Sequence, residues 1–174
     1  MVVEGAELLA AALDAGRPVE AVYVAAEGGD EPAVAAVADR VVASGGRVFD
    51  LAPGVMEKVA STVTPQPVLA VVPYRPAGLE FLDGASLVVV CVDVRDPGNL
   101  GTVIRTADAA GADAVVCCEG TVDPTNPKCA RATAGSLFHV PVVDGGPVAD
   151  VLAALADRGF TTVATVVRGG TDHT

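Results

Sequence analysis

Apolar residues follow helical or strand spacing through the first 75 residues of the chain. They recur every three or four positions over residues 4–15, which predicts an amphipathic helix that ends at Gly16. A β-branched run over 19–26 predicts a short strand. Similar patterns predict helices over 31–44 and 53–60 and strands over 47–51 and 67–73. We therefore expect a small α/β domain over residues 1–75.

A second region follows residues 76–85, which are rich in proline and glycine and are predicted to be a linker. The continuous apolar run over 86–93 is typical of a central parallel strand that is covered on both faces. Helices are predicted over 100–110, 126–134 and 148–158, and further strands over 114–118, 138–143 and 161–167. This alternation predicts an α/β fold with a parallel sheet over residues 86–174.

Composition narrows the classes of function. Just over half of the residues are apolar, 51%, which is enough for a buried core, and no apolar run reaches the ~18 residues of a membrane span. The net charge of −11 argues against non-specific binding of nucleic acid, so any RNA site has to be local. The four cysteines form no Cys-x-x-Cys pair, and we interpret them as buried, reduced thiols of a cytoplasmic protein.

The segment over residues 93–107 is the strongest candidate for chemistry. It leaves the carboxyl end of a predicted strand, turns, and opens a helix near Asn99, and ligands of open α/β sheets bind at that edge. A helix N-terminus there attracts anions. Arg105 lies in the second turn, three residues after Thr102 and on the same face. The alternative is that Arg105 is a surface residue paired with Asp108.

A second candidate segment covers residues 121–135. It also follows the carboxyl end of a predicted strand, and it places Lys128 and Arg131 on one face of a helix. With Arg95 and Arg105 these residues make up four of the eleven basic residues of the chain. Because acidic residues lie among them, the basic patch is small, and the alternative interpretation is a solvated helix face.

The two segments together resemble the SpoU/TrmH class of RNA ribose methyltransferases, in the SPOUT superfamily. The resemblance rests on the runs Asp96–Ala107, Asp123–Lys128 and Arg131–Phe138. The first 75 residues are similar to the substrate-binding domain of that class at Val3–Gly5 and Thr64–Val71. The resemblance covers nearly the whole chain, and the run that contains Asn99 and Arg105 is its most specific part.

The resemblance implies transfer of a methyl group from S-adenosylmethionine to a ribose 2′-hydroxyl in ribosomal or transfer RNA. The arginine and asparagine of the family motif correspond to Arg105 and Asn99, the expected catalytic residues. A guanidinium stays protonated and is a poor general base, so we expect Arg105 to grip a phosphate and stabilise the developing alkoxide. Lys128, Arg131 and Arg95 are expected to contact RNA phosphates.

The chain departs from the family after residue 170. Family members continue with a Gly-Asn-Glu-like loop and a Ser-Leu-Asn-like segment, which form a trefoil knot and hold the methyl donor. The sequence contains neither segment. We therefore expect a fragment that is inactive alone, with a partial SPOUT domain over 86–174 and with its donor-binding residues outside it. The family also implies a homodimer formed through the knot.

Two other functions remain open from the sequence. One is a dinucleotide-binding unit of the NAD type. The chain loosely resembles such a unit in its order of strand, Gly98–Gly101, helix, strand and then Glu119, although the Gly-x-Gly-x-x-Gly pattern is missing. A non-catalytic RNA-binding module is the other alternative. No metal is expected, since Asp93 and Asp96 have no evident third ligand.

Overall fold

The computed structural model describes residues 1–166 and residue 170. Its first region contains the predicted alternation of helices and strands. Its elements are β1 (Val2–Glu4), α1 (Ala6–Asp14), β2 (Ala21–Ala25), α2 (Pro32–Ala43), β3 (Arg47–Leu51), α3 (Met56–Val59) and β4 (Val68–Val71). The six elements predicted over residues 1–75 are thereby confirmed, with ends that differ by a few residues.

Strand β1 is the element of this region that the pattern did not predict. The sheet has the order β1-β4-β2-β3, with β2 and β3 parallel and the other two pairs antiparallel. A strand of three residues is too short to show a recognisable alternation of apolar and polar positions. They form a strand because Val2 to Glu4 pair with Val71 to Leu69, a contact that depends on the folded chain.

The second region contains a parallel sheet with the order β5-β6-β7, so the predicted α/β class is confirmed. Its elements are β5 (Val88–Cys91), α4 (Pro97–Ala109), β6 (Ala114–Cys118), α5 (Pro127–Ala132), β7 (Val142–Gly146) and α6 (Val148–Asp157). The predicted turn at 96–99 is shorter than expected, since the helix already begins at Pro97. None of the helices described is long and apolar enough to span a membrane.

Two predicted strands of this region are wrong in whole or in part. Residues 136–138 form a 3-10 turn after Gly135, which has a φ of +99°, and the strand predicted over 138–143 begins only at Val142. Residues 161–166 form no strand and are exposed, while the last residue of that prediction, 167, lies outside the described residues. A β-branched run needs a neighbouring strand to satisfy its backbone, and 161–166 pair with none of the strands described.

The two regions share one apolar core. Its main cluster joins residues of β1, α1 and β2 to residues of α4, α5 and the turn at 136–138. A second cluster lies between α6, β7 and the predicted linker, where residues 79–82 form a 3-10 helix and Leu82 is fully buried. The linker therefore packs on the second sheet, and the expected domain boundaries at 75 and 86 stay a prediction.

Candidate functional site

Helix α4 begins at the carboxyl edge of the parallel sheet, and five residues separate it from the end of β5. Asp96 is its N-cap, and Oδ1 of Asp96 accepts a hydrogen bond of 2.9 Å from the backbone N–H of Asn99. That bond, together with the one from Lys128, holds the pKa of Asp96 below its usual range. Pro97 occupies the first turn, where a missing N–H has no consequence. The local sequence thus fixes the start of this helix.

Asn99 and Arg105 both lie on the exposed side of α4. Leu100, Ile104 and Ala107 bury the opposite side in the main core. Because an α-helix rises about 1.5 Å per residue, the backbone positions of Asn99 and Arg105 are separated by about 9 Å along its axis. Both side chains are therefore accessible to a large ligand that lies along this helix.

The surface pairing considered as an alternative for Arg105 does not form. Asp108 instead lies 3.4 Å from Nδ1 of His139. Within residues 1–166, the Arg105 side chain has neither a hydrogen bond nor an ion pair. Because α4 begins at Pro97, Arg105 lies in its third turn and not in the second as predicted, and its exposed guanidinium retains its donors for a ligand.

Arg95 lies in the loop that precedes α4. Its Nε donates to Oδ1 of Asp93 at 2.8 Å, and both side chains are largely exposed. This bond with the Asp93 carboxylate raises the pKa of Arg95. Asp93 has a φ of +54°, which is uncommon for a residue other than glycine and marks the sharp turn out of β5. Arg95 is thus accessible, but its positive charge is paired with the Asp93 carboxylate.

Lys128 connects the starts of α4 and α5. Its Nζ lies 3.0 Å from Oδ2 of Asp96, and its backbone N–H donates to Oδ1 of Asn126, the N-cap of α5, at 2.9 Å. Its side chain is 60% exposed, so the ammonium remains accessible to an anion. The structure therefore brings Lys128 and Asn99 close to the same helix N-terminus, since both bond to Asp96.

Helices α4 and α5 pack closely because residue 101 is a glycine. A Cβ on Gly101 would lie 2.5 Å from Cβ of Ala132 and 2.7 Å from the backbone oxygen of Cys129. Real Cβ atoms do not approach other atoms this closely. Gly101 therefore determines how near the helix with Arg105 lies to the helix with Lys128 and Arg131.

Arg131 contacts the first region of the chain. Its guanidinium donates to Oγ of Ser61 at 2.6 Å and lies 3.6 Å from Oε2 of Glu4. The Arg131 side chain is 30% exposed and that of Glu4 is 3% exposed. Glu4 belongs to the run Val3–Gly5 that resembles the substrate-binding domain, but neither it nor Ser61 was predicted to contact Arg131, because the two residues lie far from Arg131 in sequence.

A cleft of about 470 Å³ opens beside the carboxyl end of β6 and the first residues of β7. Tyr74 and Pro76, at the junction of the first region and the linker, line it together with Glu119, Asp123 and Asp144. Burial raises the pKa of the Tyr74 hydroxyl well above its ordinary value. No residue of α4 lines the cleft. Its volume suits a small molecule, and we assign no methyl donor to it.

The described residues offer no clear position for a metal ion. No group of three or more His, Cys, Asp or Glu side chains over residues 1–166 is arranged to hold one. All four cysteines are buried and free. Burial raises the pKa of the Cys129 thiol to about 12, which suits an unreactive core residue.

Comparison with known proteins gives matches to both regions. The family model described as "SpoU rRNA Methylase family" matches residues 86–174, just over half of the chain. The one described as "MRM3-like substrate binding domain" matches residues 1–70. The second match lies in the region that the sequence analysis predicted to present the substrate.

Individual relatives agree with these matches. The chain is 47% identical over 100 residues to the 23S rRNA (guanosine(2553)-2′-O)-methyltransferase RlmP of Bacillus subtilis, covering 58% of this chain and 39% of that protein. It is 34% identical over 130 residues to an uncharacterized tRNA/rRNA methyltransferase of Synechocystis, covering 75% and 47%.

Solved structures give the same result. The AdoMet-bound rRNA methyltransferase from Sinorhizobium meliloti superposes with a TM-score of 0.75 at 33% identity, covering 90% of this chain and 58% of that one. A second structure of an rRNA methyltransferase from the same organism gives a TM-score of 0.74 at 34% identity, covering 89% of this chain and 57% of that one. The chain thus spans less than half of the two curated relatives and somewhat more than half of the solved chains. It belongs to the SpoU rRNA methylase family.

Proposed function

We propose that the complete protein transfers a methyl group from S-adenosylmethionine to a ribose 2′-hydroxyl of ribosomal or transfer RNA. The observation that carries the proposal is the exposed helix α4, which presents Asn99 and Arg105 at the carboxyl edge of a parallel sheet. A relative named as a 23S rRNA 2′-O-methyltransferase is 47% identical over 100 residues. Family membership favours this function over the dinucleotide-binding and non-catalytic alternatives.

Arg105 is the proposed catalytic residue. Its guanidinium stays protonated, so its role is to hold a phosphate next to the target ribose and to stabilise negative charge that develops on the 2′-oxygen. Asn99, at the N-terminus of the same helix, is proposed to orient the ribose through its amide. S-adenosylmethionine supplies an electrophilic methyl group, and its binding residues are not among those assigned to α4.

Lys128 and Arg95 are proposed to contact RNA phosphates. Both side chains are largely exposed and lie near the start of α4, and phosphate contacts position RNA without reading its sequence. Arg131 can contact RNA only through the exposed third of its side chain, because it already bonds to Ser61. Since the net charge is −11, this contact surface has to be small.

We also propose a cytoplasmic homodimer. The four free, buried thiols support the location, since reduced cysteines are typical of that compartment. The dimer follows from the family resemblance, and sedimentation of the complete protein measures it directly.

Methyl transfer to RNA tests the proposed function. The complete protein is incubated with radiolabelled S-adenosylmethionine and either ribosomal or transfer RNA, and the modified ribose is mapped by its resistance to alkaline cleavage. The matched control is the same RNA with a 2′-deoxyribose at the mapped position, which should receive no label. Label that persists on the deoxy substrate, or that is found on a base, would refute ribose methylation.

A further inference from the structure

Glu4 is a buried carboxylate that the proposed chemistry does not use. It ends β1, and four groups of the segment between α3 and β4 donate hydrogen bonds to it. The backbone N–H and the hydroxyl of Ser61 donate to Oε2 at 3.3 and 3.2 Å, the backbone N–H of Gln66 donates to Oε1 at 3.3 Å, and the Thr62 hydroxyl donates to Oε1. Burial alone would raise the pKa of Glu4. The four hydrogen bonds outweigh that effect and hold the pKa of Glu4 below its usual range.

Arg131 completes this network from the second region. Its guanidinium donates to Oγ of Ser61 at 2.6 Å, and the Ser61 hydroxyl in turn donates a hydrogen bond to Oε2 of Glu4 at 3.2 Å. The two charges lie 3.6 Å apart across this relay. A carboxylate that is 3% exposed is unfavourable without a cation, so Arg131 supplies the charge that Glu4 needs.

The network connects the region matched as a substrate-binding domain to the helix that carries Arg105. Glu4 and Ser61 belong to residues 1–70, whereas Arg131 belongs to α5. Helix α5 contacts β1 on one side and packs against α4 on the other, where Gly101 permits close approach. A change in the Arg131 contact therefore reaches Arg105 through two packed helices.

We propose that Glu4, Ser61 and Arg131 form an interdomain clasp that fixes the orientation of residues 1–70 relative to helix α4. RNA that is held by the first region then presents its ribose to Arg105 at the correct position. Glu4 and Ser61 are positioning residues, since they act through Arg131 and α5. The expected effect of the clasp on catalysis rests on the proposed function, whereas its expected effect on orientation rests on geometry alone.

Matched variants at Ser61 test the effect on catalysis. Ser61→Ala removes the relay hydroxyl, and Ser61→Thr keeps it. In the complete protein, we expect Ser61→Ala to lower kcat about tenfold or more with less than a twofold change in KM for RNA, because misplacement by an ångström slows a reaction strongly. Ser61→Thr should restore most of the kcat.

A second pair of variants separates the clasp from RNA contact. Glu4→Gln removes the buried charge at nearly constant size, and Glu4 is too buried to touch RNA. It should lower kcat as Arg131→Gln does, and the double variant should be no slower than the slower single variant. A rise in KM for Arg131→Gln alone, with Glu4→Gln and Ser61→Ala unaffected, would overturn the clasp and make Arg131 a simple phosphate contact.

Orientation is measured without any activity. Val42→Cys in α2 and Ala149→Cys in α6 place spin labels on exposed positions of the two regions, while the four native cysteines are buried. Ser61→Ala should broaden the interspin distance distribution, and Ser61→Thr should leave it narrow. An unchanged distribution in Ser61→Ala overturns the clasp even if the wild type methylates RNA. A wild type that methylates no RNA refutes the proposed function, and the distance measurement still decides whether the clasp exists.

Discussion

Helices α4 and α5 begin in the same way, yet their arginines have different surroundings. Each helix follows the carboxyl end of a parallel strand, starts with a capping side chain and a proline, and carries an arginine within its first three turns. Arg105 of α4 is exposed and has no partner within residues 1–166, whereas Arg131 of α5 is held by Ser61 and Glu4. Similar local sequences therefore do not imply similar roles.

The difference arises from what each helix faces. Helix α4 has solvent along its Arg105 side, while α5 packs against β1. A free guanidinium is available to a substrate, whereas a guanidinium beside a buried carboxylate is committed to the fold.

Arg105→Ala should have the largest effect on activity. We expect methyl transfer to fall at least about 100-fold, because one preorganised charge is typically worth that much in the transition state. The free energy of unfolding should change by less than about 0.5 kcal/mol, since the side chain is exposed. Initial rates of methyl transfer and urea unfolding measure the two quantities.

The control for Arg105→Ala is Arg40→Ala, which removes an arginine from α2. Arg40 is paired with Asp14 and lies outside both candidate segments. Its removal should leave methyl transfer unchanged. Equal losses of activity in the two variants would show that total charge, and not the position of Arg105, supports the reaction.

The position of Arg105 could be predicted from the sequence, and the position of Arg131 could not. A strand, a proline-containing turn and a helical period are local, so the residues over 93–107 sufficed to place Arg105 on an exposed helix face. Arg131 is bound by residues of the first region that lie far from it in sequence. That pairing depends on how α5 packs against β1, which no local pattern encodes.

Gly101→Val should have the largest effect on stability. A Cβ at this position collides with Ala132 and with the backbone of α5, so α4 and α5 have to separate. We expect a loss of about 3 kcal/mol in the free energy of unfolding, at the upper end for overpacking. Thr102→Val places the same side chain on the next, exposed residue and should cost less than about 0.5 kcal/mol. Similar losses at both positions would contradict the close packing of the helices.

The strand errors have a similar physical origin. Helices are stabilised by bonds within one segment, and the predicted helices over 1–158 are present. Strands depend on partners. Strand β1 exists because β4 pairs with it, and residues 161–166 have a strand-like composition without a partner among the strands described. The strand predicted over 138–143 starts too early because Phe138 ends a 3-10 turn and Val140 follows it, and both are apolar and buried, a pattern that resembles a strand.

Glu4→Gln should reveal a pH-dependent part of the stability. The folded pKa of Glu4 lies below its ordinary value, so its carboxylate stabilises the fold above the unfolded pKa of about 4.3, and this contribution is lost as the pH falls through the folded pKa. At pH 7 the variant should lose about 1–2 kcal/mol. The difference from the wild type should narrow below about pH 5.

Urea unfolding of both proteins at a series of pH values measures that difference. Glu57→Gln, which changes an exposed glutamate of α3, is the control at pH 7 and should cost less than about 0.5 kcal/mol. If the difference in the free energy of unfolding between Glu4→Gln and the wild type grew on acidification, the Glu4 carboxylate would not be stabilised by the fold. Glu4 would then not need Arg131 as its cation.

Lys128→Gln should have the smallest effect and should complete the comparison of the two helices. Lys128 is 60% exposed and paired with an exposed aspartate, so its loss should barely affect folding. If it contacts one phosphate, the slope of log affinity for RNA against log salt should fall by about 0.7–0.9. Lys58→Gln removes the other lysine of the chain and should leave the slope unchanged. Arg131→Gln should also leave it unchanged if the guanidinium serves Glu4, whereas a slope reduced as much as in Lys128→Gln would give both basic residues of α5 the same role.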